Sequence, residues 1–181
     1  MTTTILSRDE LIQRIADIAL LTGEFTLRSG RTSRFYLDKY LFSTDPAILH
    51  ALGIMFAERL PSTTTRLAGA ELGGIPLVTA ASLSSGLPCV FIRNQKKDYG
   101  TAKQLEGTLT ADDQVVIVED VATTGGQVLE AAQVIQDLGA TVVRIIATID
   151  REEGARENIE GAGFEFDALF RGRDLGMVPG G

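Results

Sequence analysis

Soft metal ligands are almost absent from this chain of 181 residues, which holds one cysteine, Cys89, and one histidine, His50. A single cysteine cannot close an internal disulfide, and the two residues fall short of the usual four ligands of structural zinc. Catalysis by a Ser-His-Asp or Cys-His pair would require His50 in one specific role. We expect both residues to pack in the core instead, since free cysteine behaves as a small hydrophobe.

Long apolar runs and excess positive charge are also missing. No stretch approaches the ~20 apolar residues of a membrane-spanning helix, and the first residues lack the basic and apolar regions of a signal peptide. Seventeen Lys and Arg residues against 24 Asp and Glu residues give a net charge of −7. This balance argues against a nucleic-acid or anionic-membrane surface. We therefore expect a cytoplasmic protein with no nucleic-acid and no membrane partner.

The length of the chain fits a single domain over residues 1–181, because one core serves roughly 100–200 residues before a chain divides. The hydrophobic fraction of 44% and the charged fraction of 23% are ordinary for a globular domain. The last residues, about 171–181, contain few core-forming side chains. We expect them to form a loose tail.

The N-terminal pattern predicts a helix followed by a pair of strands. Ser7 and Glu10 have the spacing of a capping box, and apolar residues at helical spacing continue the helix until Gly23. Residues 25–27 and 35–37 are apolar and aromatic segments on either side of a glycine-containing turn. They predict a short two-stranded unit ahead of the main sheet.

Beyond this unit, the pattern becomes an alternation of strands and helices. Apolar runs predict strands, and apolar residues at helical spacing predict the helices between them. The predicted strands are residues 66–70, 88–92, 115–118, 141–149 and 164–170, and the predicted helices are residues 46–60, 75–85 and 126–138. This order predicts an α/β fold with a twisted, mainly parallel sheet flanked by helices on both faces. Ligands of such sheets bind beyond the carboxyl ends of the strands.

The strongest chemical signal lies in residues 115–127, at one of these strand ends. A strand brings the acid pair Glu119 and Asp120 to the sheet edge, and Thr-Thr-Gly-Gly at 123–126 then begins a helix. The unpaired N–H groups and the dipole of a helix start favour a phosphate, and glycine allows its close approach. The acids would repel a phosphate unless they bind hydroxyls or a divalent cation, which ribose 5-phosphate can satisfy. The alternative is an ordinary capped turn with solvent-exposed acids.

Residues 93–103 form a basic segment after another predicted strand. They include four basic residues and one acidic residue, where the average of the chain predicts roughly one basic residue. This composition predicts a loop that closes over an anionic ligand, and the alternative is a solvated hairpin.

Two further segments follow strand ends. Residues 69–76 form a second glycine-rich turn before a helix. Arg151 follows the strand 141–149 and offers a planar guanidinium to a carboxylate, although an ion pair with Glu152 or Glu153 is the simpler interpretation.

Together these segments resemble the phosphoribosyltransferases of the type I fold, and among them those that act on orotate. The resemblance is carried by residues 25–36, 73–76, 93–100, 105–107, 115–127 and 149–153. It implies the type I phosphoribosyltransferase fold, in which residues of about 1–40 contribute a small N-terminal hood.

The resemblance implies an enzyme, a pentosyltransferase that moves the 5-phosphoribosyl group from 5-phosphoribosyl 1-pyrophosphate (PRPP) to orotate. The products would be orotidine 5′-monophosphate and pyrophosphate, in pyrimidine biosynthesis, with Mg²⁺ as a cofactor carried by PRPP. It also implies a homodimer in which the basic loop 93–103 reaches across the interface. The alternatives are transfer to another base and a non-catalytic PRPP-sensing regulator. No DNA-binding segment supports the regulator.

Carried over by position, the resemblance gives each group of residues a role. Lys97 and Asp120 would be catalytic. PRPP would contact Arg93, Lys97, Tyr99, Glu119, Asp120, Val121, Ala122, Thr123, Thr124, Gly125, Gly126 and Gln127. Orotate would contact Phe35, Tyr36, Thr123 and Arg151. The pyrophosphate would lie near Arg28, Glu71, Leu72, Gly73 and Gly74. The chain departs from the common family pattern at Arg28, Asn94 and Tyr99, where lysine, a basic residue and histidine are frequent.

Overall fold

The computed structural model describes residues 6–26, 32–94 and 104–177. In chain order, its elements are α1 (Arg8–Ala19), β1 (Leu20–Thr26), β2 (Thr32–Leu37), α2 (Lys39–Ser43), α3 (Pro46–Ala57), β3 (Arg66–Ala70), α4 (Gly74–Ser85), β4 (Cys89–Ile92), β5 (Leu105–Glu106), β6 (Gln114–Ala122), α5 (Gly126–Asp137), β7 (Thr141–Asp150), α6 (Ala155–Gly161), β8 (Phe166–Arg171) and a 3₁₀ turn (Gly172–Leu175).

The main sheet has six strands within the described residues, in the order β5, β4, β3, β6, β7 and β8. All of its pairings are parallel except that of β5 with β4. This confirms the predicted α/β class and the mainly parallel sheet. The chain proceeds from β3 toward one edge and from β6 toward the other, so the strand order reverses between these two strands. Ligands of open parallel sheets bind at such a reversal, beyond the carboxyl ends of the strands.

Two apolar cores cover the two faces of the sheet, as predicted. Alternate side chains of β6 enter different cores, because successive residues of a strand point to opposite faces. Val116 and Val118 pack with α1, α3 and α4, whereas Val115 and Ile117 pack with α5 and α6. Among the described residues, no helix has the length and apolar character needed to cross a membrane.

The N-terminal segment folds as α1 followed by the antiparallel pair of β1 and β2. The side chain of Ser7 accepts a hydrogen bond from the N–H of Glu10, and the Glu10 carboxylate accepts one from the N–H of Ser7, which confirms the capping box. The helix ends at Ala19 rather than at Gly23 as predicted. Leu20 already pairs with Leu37 in the sheet, so cross-strand pairing overrides the helical spacing.

Other expectations need correction. His50 is exposed on α3 instead of buried, and Cys89 is half-buried at the margin of one core. Residues up to 177 are packed rather than loose, because Leu175 and Met177 return to the core after the 3₁₀ turn. The short elements α2, β5 and α6 were not predicted, since each is too short to show a clear period.

A hydrogen-bonded carboxylate, Asp113, holds the amino ends of β3 and β6 together. These strand ends lie on the side of the sheet opposite the predicted site. Asp113 is 5% exposed and accepts bonds from the Thr65 hydroxyl at 2.9 Å, the Arg66 Nε at 2.9 Å and the Thr110 N–H at 2.8 Å. Burial alone would raise the pKa of Asp113, but these donors outweigh it and lower the pKa to about 2.

We predict that Asp113→Ala lowers the free energy of unfolding at pH 7 by about 2–4 kcal/mol, because four donors lose their acceptor. Denaturant unfolding measures this loss. The exposed neighbour supplies the control, and Asp112→Ala should change stability by about 0.5 kcal/mol or less.

The same contact predicts a pH dependence. A folded-state pKa of about 2 lies below the ordinary value of 3.8, so the stabilisation is complete above about pH 4 and is lost as the pH falls toward 2. The difference in the free energy of unfolding between the wild type and Asp113→Ala should therefore become smaller as the pH falls over this range. If Asp113→Ala and Asp112→Ala were equally stable at pH 7, the stabilising role of Asp113 would be contradicted.

Candidate active site

The strand β6 extends to Ala122 and therefore carries the acid pair into the sheet. Glu119 is 7% exposed and Asp120 is 2% exposed. This excludes the alternative of a turn with solvent-exposed acids. Strands β3, β4 and β7 end on the same side of the sheet as β6. Gly73, in the segment that follows β3, lies against the Asp120 carboxylate.

Glu119 holds an acceptor without a partner among the described residues. Its Oε1 accepts the N–H of Asp120 at 3.1 Å, whereas its Oε2 is buried and has no hydrogen-bond partner. Burial raises the pKa of Glu119 well above its ordinary value, and the adjacent charge of Asp120 raises it further. A buried carboxyl group of this kind is stabilised by a ligand that brings hydroxyls or a cation.

Asp120 is paired with a lysine that the sequence analysis did not single out. Lys39 begins α2, and its Nζ lies 2.7 Å from Asp120 Oδ2. Burial alone would lower the pKa of Lys39, but the Asp120 carboxylate outweighs it, and the pKa is raised. One feature of the sequence could have drawn attention to Lys39, because it is the only lysine of the chain outside residues 93–103.

The turn at residues 123–126 leaves the start of α5 open. Gly125 caps this helix without a side-chain hydrogen bond, so the first N–H groups of the helix remain available to an anion. Gly125 has a φ of 81°, which favours glycine, and a Cβ there would lie 2.9 Å from Ile159 Cγ1. Asn158 on α6 supports the turn from behind by donating to the Thr124 carbonyl at 2.9 Å.

A polar bridge joins three of the predicted segments. The Glu71 side chain accepts the N–H of Asn94 at 2.8 Å, and the Gln127 amide donates to the Glu71 carbonyl at 3.3 Å and to Asn94 Oδ1 at 3.2 Å. The peptide bond between Glu71 and Leu72 is cis. The bridge brings together the turn after β3, the start of the basic loop and the start of α5. The sequence placed all three at one sheet edge but did not predict these contacts.

Two arginines that follow strand ends also carry unpartnered polar atoms. Arg93 follows β4 and Arg151 follows β7. The Nε of each is buried and has no hydrogen-bond partner among the described residues. Arg93 Nη1 lies 3.7 Å from Glu106 Oε1, and Arg151 Nη2 lies 2.7 Å from Glu153 Oε1, which is the ion pair predicted as the simpler interpretation. With Glu119 Oε2, the two Nε atoms are unpartnered polar groups at the carboxyl ends of three strands, where a charged ligand could satisfy them.

The chain is similar to known phosphoribosyltransferases. Residues 46–166 match the phosphoribosyl transferase domain family. The orotate phosphoribosyltransferase of Halobacterium salinarum is 47% identical over 92% of this chain and 95% of its own length. That of Pyrococcus abyssi is 42% identical over 96% of this chain and 97% of its own length.

The chain belongs to the orotate phosphoribosyltransferase family. It is therefore a pentosyltransferase, as predicted. The Mycobacterium tuberculosis orotate phosphoribosyltransferase in complex with PRPP has a TM-score of 0.80 and 28% identity, covering 94% of this chain and 99% of that chain. The adenine phosphoribosyl transferase of Trypanosoma brucei has a TM-score of 0.68 at 18% identity, which shows the shared fold alone.

The residues that family resemblance assigned to the base lie partly in the hood. Tyr36 is 45% exposed on β2 and lies 5.6 Å from the Phe25 ring, whereas Phe35 packs against one core. Arg28, Lys97 and Tyr99 lie outside the described residues. Their roles remain predictions.

The residues present suit the Mg²⁺ that phosphoribosyltransferases use with PRPP. The described residues contain no group of three or more side chains that would hold a metal alone. Mg²⁺ usually takes one or two carboxylates and completes its shell with water and substrate phosphate oxygens. The acid pair, with the unpartnered Glu119 Oε2, fits that donor set.

We predict different effects on stability for alanine substitutions at the two glycines of the turn, Gly125 and Gly126. Gly125→Ala should lower the free energy of unfolding by about 1–3 kcal/mol, because a side chain is strained at positive φ and meets Ile159. Gly126→Ala is the matched control, since the added methyl group meets only the Thr124 hydroxyl, at 4.0 Å. It should be neutral or slightly stabilising. Thermal unfolding of both variants measures the difference, and equal losses would contradict the role given to Gly125.

Proposed function

We propose that this protein transfers the 5-phosphoribosyl group of PRPP to orotate, with Mg²⁺ bound alongside PRPP. The observation that carries the proposal is the set of buried polar atoms on Glu119, Arg93 and Arg151 that have no partner among the described residues, at the same end of the sheet as the open start of α5. These atoms offer an acceptor for a hydroxyl group and donors for two anionic groups. PRPP and orotate together have these features.

The phosphoribosyl part of PRPP fits the signature turn. The N–H groups of residues 124–126 bind the 5-phosphate, and the helix dipole of α5 adds positive potential. The ribose hydroxyls donate to Glu119 and Asp120, and Glu119 Oε2 gains the hydrogen-bond partner that it lacks among the described residues. A ribose held at both ends presents its anomeric carbon in a fixed orientation.

The transfer breaks the bond from the anomeric carbon to pyrophosphate and forms a bond to the pyrimidine nitrogen, which loses its proton. Positive charge develops on the ribose while the leaving pyrophosphate becomes more negative, as in glycoside cleavage. The Arg93 guanidinium, at the base of the basic loop, stabilises the leaving group, and we assign Lys97 and Tyr99 to the same task. When bound, Mg²⁺ would neutralise part of the pyrophosphate charge.

Arg151 provides the contact to the base. Its Nη2 is held by Glu153 and its Nε has no partner among the described residues, so the guanidinium is oriented before the substrate binds. The carboxylate of orotate accepts a hydrogen bond from this Nε. Tyr36 on the hood and Thr123 on the turn are assigned to the remaining faces of the base. The reaction would place the protein in pyrimidine biosynthesis in the cytoplasm.

The base specificity can be tested by turnover with PRPP and Mg²⁺ against orotate, uracil, hypoxanthine and adenine. We expect turnover of orotate alone, because uracil lacks the carboxylate that Arg151 binds. Arg151→Ala should raise the KM for orotate about tenfold or more and leave the KM for PRPP within about twofold. Arg156→Ala is the control, since Arg156 lies on α6 and pairs with Glu160. Equal weakening of both substrates, or turnover of a purine, would contradict the proposal.

We also propose that the active form is a homodimer with shared sites, in which the loop 93–103 of one chain completes the site of the other. Large apolar side chains such as Leu72 and Leu83 are 63% and 83% exposed, which supports a covering partner. A polar loop that closes on a ligand also needs an opposing surface.

Mixing two inactive variants tests this sharing. Lys97→Ala removes the loop contribution and Asp120→Asn removes the ribose contact. A heterodimer of the two has one site with both lesions and one intact site. Random pairing gives about half heterodimers, so activity should recover to roughly a quarter of the wild type. Recovery is measured after subunit exchange is confirmed by mass. A mixture that stays inactive would show that each loop serves its own chain.

A further inference from the structure

Lys39 occupies a place in the site that the activity described above does not explain. Its Nζ lies 2.7 Å from Asp120 Oδ2, and its side chain is 32% exposed while that of Asp120 is 3% exposed. The lysine therefore reaches from the surface onto a buried carboxylate. Among the described residues, Asp120 is its one ion-pair partner.

The backbone of Lys39 is fixed by the hood. The preceding residue, Asp38, caps α2 by accepting the N–H of Tyr40 at 3.1 Å, and its own N–H donates to the Ala19 carbonyl at 2.8 Å. The turn between β2 and α2 is thus held from both sides. The lysine side chain starts from a fixed point and spans the gap to the end of β6.

The Asp120 carboxylate is held on its other sides as well. Its Oδ1 accepts the N–H of Val121, and its Oδ2 lies against Gly73, where an added Cβ would come within 1.6 Å. Gly73 has φ of −70° and ψ of −29°, which any residue adopts, so space and not backbone freedom calls for glycine there. Lys39 contacts Oδ2 as well, so both oxygens have a partner that fixes the orientation of the carboxylate. A carboxylate accepts about four hydrogen bonds, so these contacts leave it able to accept further ones.

We propose that Lys39 is a positioning residue that acts through Asp120, holding the carboxylate in the orientation in which it accepts the ribose hydroxyls of PRPP. The inference rests on the proposed function, which places the ribose on the acid pair. Without the ammonium, Asp120 Oδ2 would be buried with no opposite charge beside it, and the carboxylate would lose the contact that fixes its orientation on that side. Lys39 also links the hood to the ribose site.

Binding of ribose 5-phosphate tests the inference, because this ligand has the diol and the 5-phosphate but no pyrophosphate. Lys39→Met keeps the length of the side chain and removes its charge. Calorimetry should show the Kd for ribose 5-phosphate raised about tenfold, with the Kd for pyrophosphate within about twofold of the wild type. Lys39→Arg should recover part of the affinity.

A matched ion pair supplies the control. Arg14 Nη2 lies 2.7 Å from Asp45 Oδ2, the same separation as in the pair of Lys39 and Asp120, but at the start of α3. Arg14→Met should leave the Kd for ribose 5-phosphate unchanged. Thermal unfolding of each variant shows that the fold is retained, and Lys39→Arg provides a second variant where Lys39→Met does not fold.

A double-mutant cycle separates positioning from direct contact. If Lys39 acts through Asp120, then Lys39→Met should weaken binding less than about twofold further in the Asp120→Asn background. If the losses of the two substitutions multiply in the double variant, Lys39 contacts the substrate directly and the inference is overturned. The same conclusion follows if pyrophosphate affinity falls as much as ribose 5-phosphate affinity. Wild-type affinity in Lys39→Met would overturn it as well.

Turnover by the wild-type protein distinguishes a failure of this inference from a failure of the proposed function. If it fails to form orotidine 5′-monophosphate from orotate and PRPP, the proposed function is wrong. If it turns over while Lys39→Met binds ribose 5-phosphate normally, only the role of Lys39 is wrong.

Discussion

The parallel pairing of β6 with β3 and β7 is the constraint on which the site depends. It places the central strand between two neighbours and continues it to Ala122, so the last residues before the turn are inside the sheet. Acids at that position are desolvated before any ligand arrives. The same pairing brings the ends of β3 and β7 to the same edge, and these deliver Glu71 and Arg151. A register shift in β6 would move the acid pair relative to Glu71 and Arg151 and would separate these groups.

Desolvated polar groups at the carboxyl ends of these strands support the proposal that a ligand with several charged groups binds there. Glu119 Oε2, Arg93 Nε and Arg151 Nε are buried without hydrogen-bond partners in the part of the chain that the structure describes, and burial of this kind is unfavourable. A ligand that supplies complementary groups relieves this cost, and little reorganisation is needed when the groups are already oriented. The stability of the fold is supplied elsewhere, by two apolar cores and by the Asp113 cluster at the opposite edge. The unpartnered polar groups and the Asp113 cluster therefore lie at opposite ends of the strands, and the apolar cores lie between them.

Much of this was accessible from the sequence because it depends on local pattern. The apolar run at 115–118, the acid pair and the Thr-Thr-Gly-Gly turn are contiguous, and the parallel sheet follows from the order of strands and helices. Contacts between segments that are distant in the sequence could not be predicted from it. The bond from Asn94 to Glu71 and the pair of Lys39 with Asp120 join residues 23 and 81 positions apart. No local period encodes them, and the early end of α1 at Ala19 has the same origin in strand pairing.

The hood has a second consequence for the chemistry. Tyr36, assigned to the base, and Lys39, paired with the ribose acid, are three positions apart and are separated by the capped start of α2. A shift of β2 would therefore move the base contact and the partner of Asp120 together. In the proposed function, the acceptor site and the donor site are connected through this short, hydrogen-bonded segment and not only through the sheet. Placement of the base over the anomeric carbon and orientation of the Asp120 carboxylate would then depend on the same few residues.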